Sequence, residues 1–306
     1  MFNVQICICR GRFETDPYIY HPFIIEYFCT FGTRKDIDIM IKDYELVGGK
    51  YTVRDVVPCY DVDSTLRIRP VAFMNIAQEM ATRAAEPFGF GYDDLIKKDM
   101  AWVLSRMHFR FVDVPRWKEE LVISTWHKGI VGPFFIRDFS VCGADGSPKV
   151  LGTSSWVVLD IKKRSMVRIA DFVDMIPEDS ACHEDALDKP AAKVMMPRTA
   201  QPRLVQSVKL GYSDIDLNAH TNNARYIHYA TECFTCDEMR EMSVADVMIT
   251  FNHETYAGET LDIYMVDTET EGLVDASGKP IVRSSIIEGK VGDQQVFCTK
   301  MMFVKR

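Results

Sequence analysis

The chain has 306 residues, 47% of them apolar and 26% charged, with a formal net charge of -8. That length accommodates two modest domains, and the composition is globular rather than disordered. The negative balance excludes a general nucleic-acid binder, which needs a basic face against phosphate, but leaves a local patch able to dock an acidic protein. Nine cysteines are an odd number for a closed disulfide framework, and Cys233 and Cys236 have no second CxxC to complete a zinc site. A reducing compartment is the simplest setting.

Residues 1–45 show no sustained helical or strand period. We read them as an N-terminal extension of unassigned role, with Met40 a candidate alternative start. The apolar stretch from Tyr18 to Phe31 is interrupted by His21, Pro22 and Glu26 and is too short to span a bilayer. No basic region precedes an apolar core as in a secretory signal. The expectation is a cytoplasmic protein with no stable membrane insertion.

From residue 46 onward the order of elements repeats. A strand-like run from Tyr51 to Val57 is followed by Tyr60, Asp61, Val62 and Asp63 and a helical segment from Pro70 to Ala85. A second run from Leu204 to Leu210 is followed by Tyr212, Asp214 and Asp216 and a helical segment expected over 223–242. Strand-like runs of period 2 come after each helix. The repeat divides the chain into a first domain, 46–176, a linker, 177–202, carrying Pro177, Pro190 and Pro197, and a second domain, 203–306. Ala77, Ala81 and Ala84 at helical spacing let a sheet wrap closely on the first helix. The fold class is therefore α+β, one helix and one antiparallel sheet twice over, with the halves pairing edge to edge to close an open sheet edge.

Residues 214–223 read DIDLNAHTNN. If extended, period 2 sends Asp216, Asn218 and His220 to one side, about 6.5–7 Å apart. The helix behind them offers unpaired amides near Thr221 to Asn223. A carboxylate or imidazole beside such amides suits attack of water on a carbonyl. A thioester fits because its thiol leaves readily, with a pKa of about 8.5. Asp and Asn before a helix are also ordinary turn and capping residues. The first half serves as a control: it reads DVDSTLR over 61–67, without Asn or His at the matching places. Aligning Leu121 with Leu261 sets Val114 against Glu254, so a carboxylate replaces an apolar residue in the half that holds the polar row. Alternation groups Glu254 with Asn252 and Tyr256.

The segment DIDLNAHTNNARYI resembles the D-x-N-x-H segment and following helix of acyl-acyl carrier protein (acyl-ACP) thioesterases. AWVLSRM over 101–107, Trp117, Thr125 with Trp126, and GTSSWVVLD over 152–160 are similar to other stretches of that family. The resemblance covers residues 50–306 and implies tandem hotdog folds, each an antiparallel sheet wrapped around a long central helix. It implies that Asp216, Asn218, His220 and Glu254 are catalytic. Plant members commonly place a cysteine after that glutamate; here the residue is Thr255, which favours activated water over a thiol nucleophile. The acyl chain is expected along the first half, with Met74, Met80 and Trp102 as candidate lining residues. Acyl carrier protein, an acidic partner, is expected at the basic cluster Lys162, Lys163, Arg164 and Arg168.

A hotdog acyl-coenzyme A thioesterase, a hotdog dehydratase and a non-catalytic acyl-binding module are the other readings. The dehydratase needs a His and a carboxylate from opposite halves, and the first half has only His108 and His127, both in strand-like runs. Gly89 and Gly91 lack the rest of a GxGxxG, Ser154 lacks a nucleophile elbow, and no HExxH occurs. No cofactor and no metal are expected. A homodimer is compatible with the sequence.

Overall fold

The computed structural model describes residues 44–306. The extension expected over 1–45 lies outside the described residues, apart from Tyr44 and Glu45. Those two open the first strand, β1 (Tyr44–Val47). The first half continues with β2 (Lys50–Val56), α1 (Pro70–Ala85), α2 (Tyr92–Ile96), β3 (Met100–Phe111), β4 (Glu120–Val131), β5 (Phe134–Gly143), β6 (Pro148–Asp160) and the short β7 (Ser165–Met166). The second half holds β8 (Arg203–Lys209), α3 (Asn223–Thr231), α4 (Cys236–Glu241), β9 (Met242–Phe251), β10 (Thr260–Thr268), β11 (Ile281–Val291) and β12 (Gln294–Lys305). No helix among the described residues is long and apolar enough to cross a membrane.

The strands form one antiparallel sheet in the order β1-β2-β4-β5-β6-β3-β9-β12-β11-β10-β8, with β7 on β6. The halves meet where β3 pairs with β9, Met107 opposite Ile249. Edge groups of each half are satisfied by the other there. On the outer side of this seam His108 Nε2 lies 2.9 Å from Asp246 Oδ2, a cross-seam pair remote from α1 and α3.

Alternation along the strands sends one face toward the helices. Proline at the first position fits α1, whose first amides need no intrahelical partner. Its face of Ala77, Met80, Ala81 and Ala84 is buried with Phe109, Phe139 and Ile123 of the sheet. Small side chains there let the strands approach. The second helix is shorter than expected: α3 stops at Thr231, and α4 starts only at Cys236. Thr235 and Glu238 form a capping box that satisfies the free amides of a new helix. Cys233 and Phe234, in the break, are turned into the core.

The segment expected as a linker is no loose tether. It runs over the helix-free face of the sheet and is bonded to both halves. Cys182 N donates to His127 O (2.9 Å), the Trp126 indole to Glu184 O (3.0 Å), and Val194 N to Thr250 Oγ1 (2.8 Å). Val194 packs with Ile286 and Cys298. This strap shelters polar outward-facing residues such as Asp138, which is fully buried and accepts from Ala186 N (2.9 Å).

Candidate active site

The segment 214–221 is not extended. Ile215 and Thr221 form an isolated antiparallel bridge, Asp216 N donates to His220 O (2.9 Å), and Ala219 N donates to Asp216 O (3.0 Å). Ala219 takes a φ of 63°, the left-handed turn of a small loop. Period 2 therefore does not place Asp216, Asn218 and His220. The turn does, by bringing Asp216 opposite His220. The Asp216 carboxylate accepts from Asn218 N (2.9 Å) and from Asn222 Nδ2 (3.4 Å). Asn218 is exposed.

The first half repeats this turn. Val62 bridges Ile68, Asp63 N donates to Arg67 O (2.8 Å), Leu66 has a φ of 64°, and the Asp63 carboxylate accepts from Thr65 N (2.7 Å). Asp216 thus has a turn-forming role that its counterpart Asp63 also fills. What differs is Asn218 against Thr65 and His220 against Arg67. The same correspondence fixes the other wall: Thr221 N donates to Thr255 O as Ile68 N donates to Pro115 O. Glu254 then matches Val114, and Tyr256 matches Arg116.

Glu254 lies in the loop after β9, not within the strand. His220 Nε2 is 3.5 Å from Glu254 Oε2, both side chains being about one-third exposed, at 34% and 38%. Tyr256 OH donates to Glu254 Oε1 (2.5 Å), and its ring stands edge-on to the imidazole at 6.1 Å. The turn between β6 and β7 sends Arg164 across from the first half to donate to the same Oε1 (2.8 Å). Partial burial raises the Glu254 carboxyl, but the Tyr256 hydroxyl, His220 and Arg164 together outweigh it and hold the group below the usual carboxylate range.

The oxyanion site expected at Thr221 to Asn223 does not form as drawn from the sequence. Thr221 N is bonded to Thr255 O and Asn222 N to Asp214 O, both at 2.8 Å. Asn222 caps α3, its Oδ1 accepting from Ala224 N (2.8 Å) and from Gln78 Nε2 of α1 (3.3 Å). Among those three amides only Asn223 N has no acceptor among the described residues. Thr255 is buried, its hydroxyl chained between Tyr226 OH and Thr221 Oγ1.

Asp214, two residues before Asp216, has a different task. It is 5% exposed and accepts from Gly211 N (2.7 Å), Arg225 Nε (2.8 Å) and Tyr229 OH (2.5 Å). Burial pushes its carboxyl up, and these donors more than offset that to bring it below the ordinary value.

Met74 and Met80 lie on α1 in the main core. Trp102 lies apart from them, in an aromatic cluster with Phe90, Phe135 and Phe172, and its indole donates to Phe90 O (2.9 Å). The basic cluster divides: Lys162 pairs with Asp99, Lys163 with Asp160 and Arg168 with Asp171, at 2.6–2.8 Å, while Arg164 faces Glu254. The sequence alone did not give Arg164 and Tyr256 as partners of the carboxylate. Grouping Tyr256 with Glu254 by alternation was the available signal.

Known proteins share the sequence pattern and the fold of this chain. The model of the acyl-ACP thioesterase N-terminal domain matches residues 48–176, and that of the C-terminal domain residues 199–288. The chloroplastic oleoyl-acyl carrier protein thioesterase of Coriandrum sativum is 25% identical over 242 residues, which is 70% of this chain and 62% of that protein. The palmitoyl-acyl carrier protein thioesterase of Arabidopsis thaliana is 26% identical over 204 residues, or 59% of this chain and 46% of that protein. Both matches thus span less than two-thirds of the plant protein. The acyl-ACP thioesterase of Bacteroides thetaiotaomicron superposes with a TM-score of 0.70 at 22% identity, covering 83% of this chain and 98% of that one. The 12:0-ACP thioesterase of Umbellularia californica gives 0.74 at 18% identity, covering 85% and 95%.

Proposed function

Because the chain belongs to the acyl-ACP thioesterase family, we propose that it hydrolyses the thioester of a fatty-acyl acyl carrier protein to free fatty acid and carrier protein. The observation that carries this reading is the His220–Glu254 pair at 3.5 Å, absent from the equivalent place in the first half. With Nε2 turned to the carboxylate, Nδ1 is the imidazole nitrogen left to take a proton from water. Glu254, held deprotonated, orients the ring and stabilises the imidazolium that forms. The water oxygen adds to the acyl carbon, the carbon–sulfur bond breaks, and the imidazolium proton passes to the departing thiolate. Asn218, exposed at the tip of the turn, orients the water or the carbonyl. Asp216 holds the turn.

The acyl chain runs in the first half between α1 and the sheet, near Met74 and Met80, with Trp102 at the more distant aromatic cluster. The β6–β7 turn that carries Lys162, Lys163 and Arg164 borders the site through the Arg164–Glu254 contact. Its lysine pairs are solvent-exposed, and such pairs exchange partners at little cost. That supports docking of an acidic carrier protein there, with Arg168 at its margin.

Thiol release from matched acyl-ACP and acyl-coenzyme A substrates tests the reading. Faster release from the carrier-protein series is expected. Preference for coenzyme A would keep the chemistry and reassign the partner, and acyl binding without release from either would overturn the enzyme reading.

Arg164 gives a pH signature. It helps to hold Glu254 below the ordinary carboxylate range, so Arg164→Ala should raise that pKa. Followed directly by NMR titration of its carboxyl carbon, Glu254 should then gain its proton at higher pH in the variant than in the parent. Arg164→Lys should restore much of the lowering. An unmoved Glu254 titration would separate Arg164 from it.

A further inference from the structure

The helix-facing surface of the first half is mostly apolar, and a polar row crosses it next to the buried Thr125. Strand register puts His127 opposite Arg137, Arg137 opposite Ser154, and Ser154 opposite Met107. Directly opposed residues share a face, and residues two apart on a strand do as well. Ile123, Phe139 and Phe109, on the same faces of β4, β5 and β3, lie in the core under α1. Phe135, the neighbour of Arg137 on the other side, belongs to the aromatic cluster around Trp102. The Arg137 side chain therefore lies inside the first half, between two apolar clusters.

Arg137 is 8% exposed. Among the described residues its one side-chain hydrogen bond goes to Thr125 Oγ1, long at 3.4 Å, and no carboxylate forms an ion pair with it. Asp138, next in the chain, points to the opposite face, where it takes Lys128 Nζ and Ala186 N. The groups flanking Arg137 in the row are uncharged. Ser154 is engaged with Arg137 O and with the Trp156 indole. Burial and the nearby guanidinium push the His127 imidazole down to about 4, so it is neutral at pH 7. Burial lowers Arg137 only to about 10, leaving it protonated.

A buried cation without a counter-charge is strongly destabilising, and its guanidinium still has donors to place. The second half shows that the architecture does not require one. With Leu121 aligned to Leu261, the partner pair His127 and Arg137 corresponds to Asp267 and Ser285, where the serine hydroxyl bonds the aspartate at 2.5 Å. A small, satisfied residue fills the place that Arg137 occupies in the first half.

We propose that Arg137 is a recognition site for an acceptor oxygen carried on the acyl chain itself, a hydroxyl, oxo or terminal carboxylate group. This rests on the thioesterase reading and specifies its substrate class. The row meets β9 at Ile249, two residues before that strand ends at Phe251 and five before Glu254 in the loop beyond it, and Arg137 lies three strands further across, about 14 Å. The oxygen recognised is thus on the distal part of the chain, far from the thioester. Burial makes the discrimination steep, because an unsubstituted chain leaves the guanidinium donors unmet.

The test is thiol release by the intact protein from carrier protein loaded with length-matched chains that are unsubstituted, distally hydroxylated or oxo-substituted, or terminated by a carboxylate. The wild-type protein should favour an oxygenated series at least about tenfold in kcat/KM, and Arg137→Met should erase that preference while improving turnover of the unsubstituted chain. Preference for the carboxylate alone assigns charge pairing; a shared preference assigns hydrogen bonding. Equal or better turnover of unsubstituted chains by the wild-type protein overturns the proposal and leaves the thioesterase reading intact. No turnover of any series overturns both. Should Arg137→Met fail to fold, the wild-type series and Arg137→Lys carry the comparison.

Discussion

His220→Ala and Glu254→Ala are each expected to lower kcat/KM for acyl-ACP by about 10²–10⁴, the range of a positioned acid–base group. The two side chains face each other at 3.5 Å and act as one unit, so the double variant should lose little more than the worse single one. Both are about one-third exposed and outside regular elements, so the circular dichroism spectrum and urea midpoint should be near those of the parent. Thiol-release kinetics with single and double variants checks this. Additive losses would mean that the two residues serve separate steps, and near-normal turnover in both would remove the pair from the chemistry.

Asp214→Ala should act on stability. The carboxylate gathers a backbone amide, a guanidinium and a phenol from the turn and from α3, and its loss leaves a buried tyrosine hydroxyl and an arginine without their acceptor. A charged, buried hub of this kind is worth about 3 kcal/mol. Equilibrium urea unfolding should show that loss. A cost below about 1 kcal/mol would place it with exposed ion pairs. The pH dependence follows from its lowered carboxyl: the stabilisation is complete above the unfolded pKa and lost as pH falls through the lower folded value.

The internal repeat was legible because both halves carry the same turn, helix and strand succession, and the alignment through Leu121 and Leu261 set Glu254 against Val114 in agreement with the matched backbone bonds. The local shape of 214–221 was not legible. A strand alternation was available in DIDLNAHTNN, but one residue in the left-handed region, Ala219, closes the segment on itself and replaces period 2 with a turn. The break after α3 escaped because periodicity continues past Thr231 while Thr235 and Glu238 start a new helix by capping. Arg164 was visible only as charge. Its partner is 90 residues away in the other half, and no local pattern reports such a distance. Arg137 and Asp138 are adjacent, and their letters do not say which one faces the helices.

The seam between β3 and β9 joins the two halves within one polypeptide. Had they been identical chains about a twofold axis, each substitution would have appeared twice, and the surroundings of one reaction centre could not have been altered without altering its mate. Covalent continuity lifts that constraint. Position 67 is free to be arginine while position 220 is histidine, and the interior of the first half can change its chemistry without disturbing the turn that holds His220. Under the proposed function, selectivity and turnover then fall on separate stretches of sequence, open to independent change.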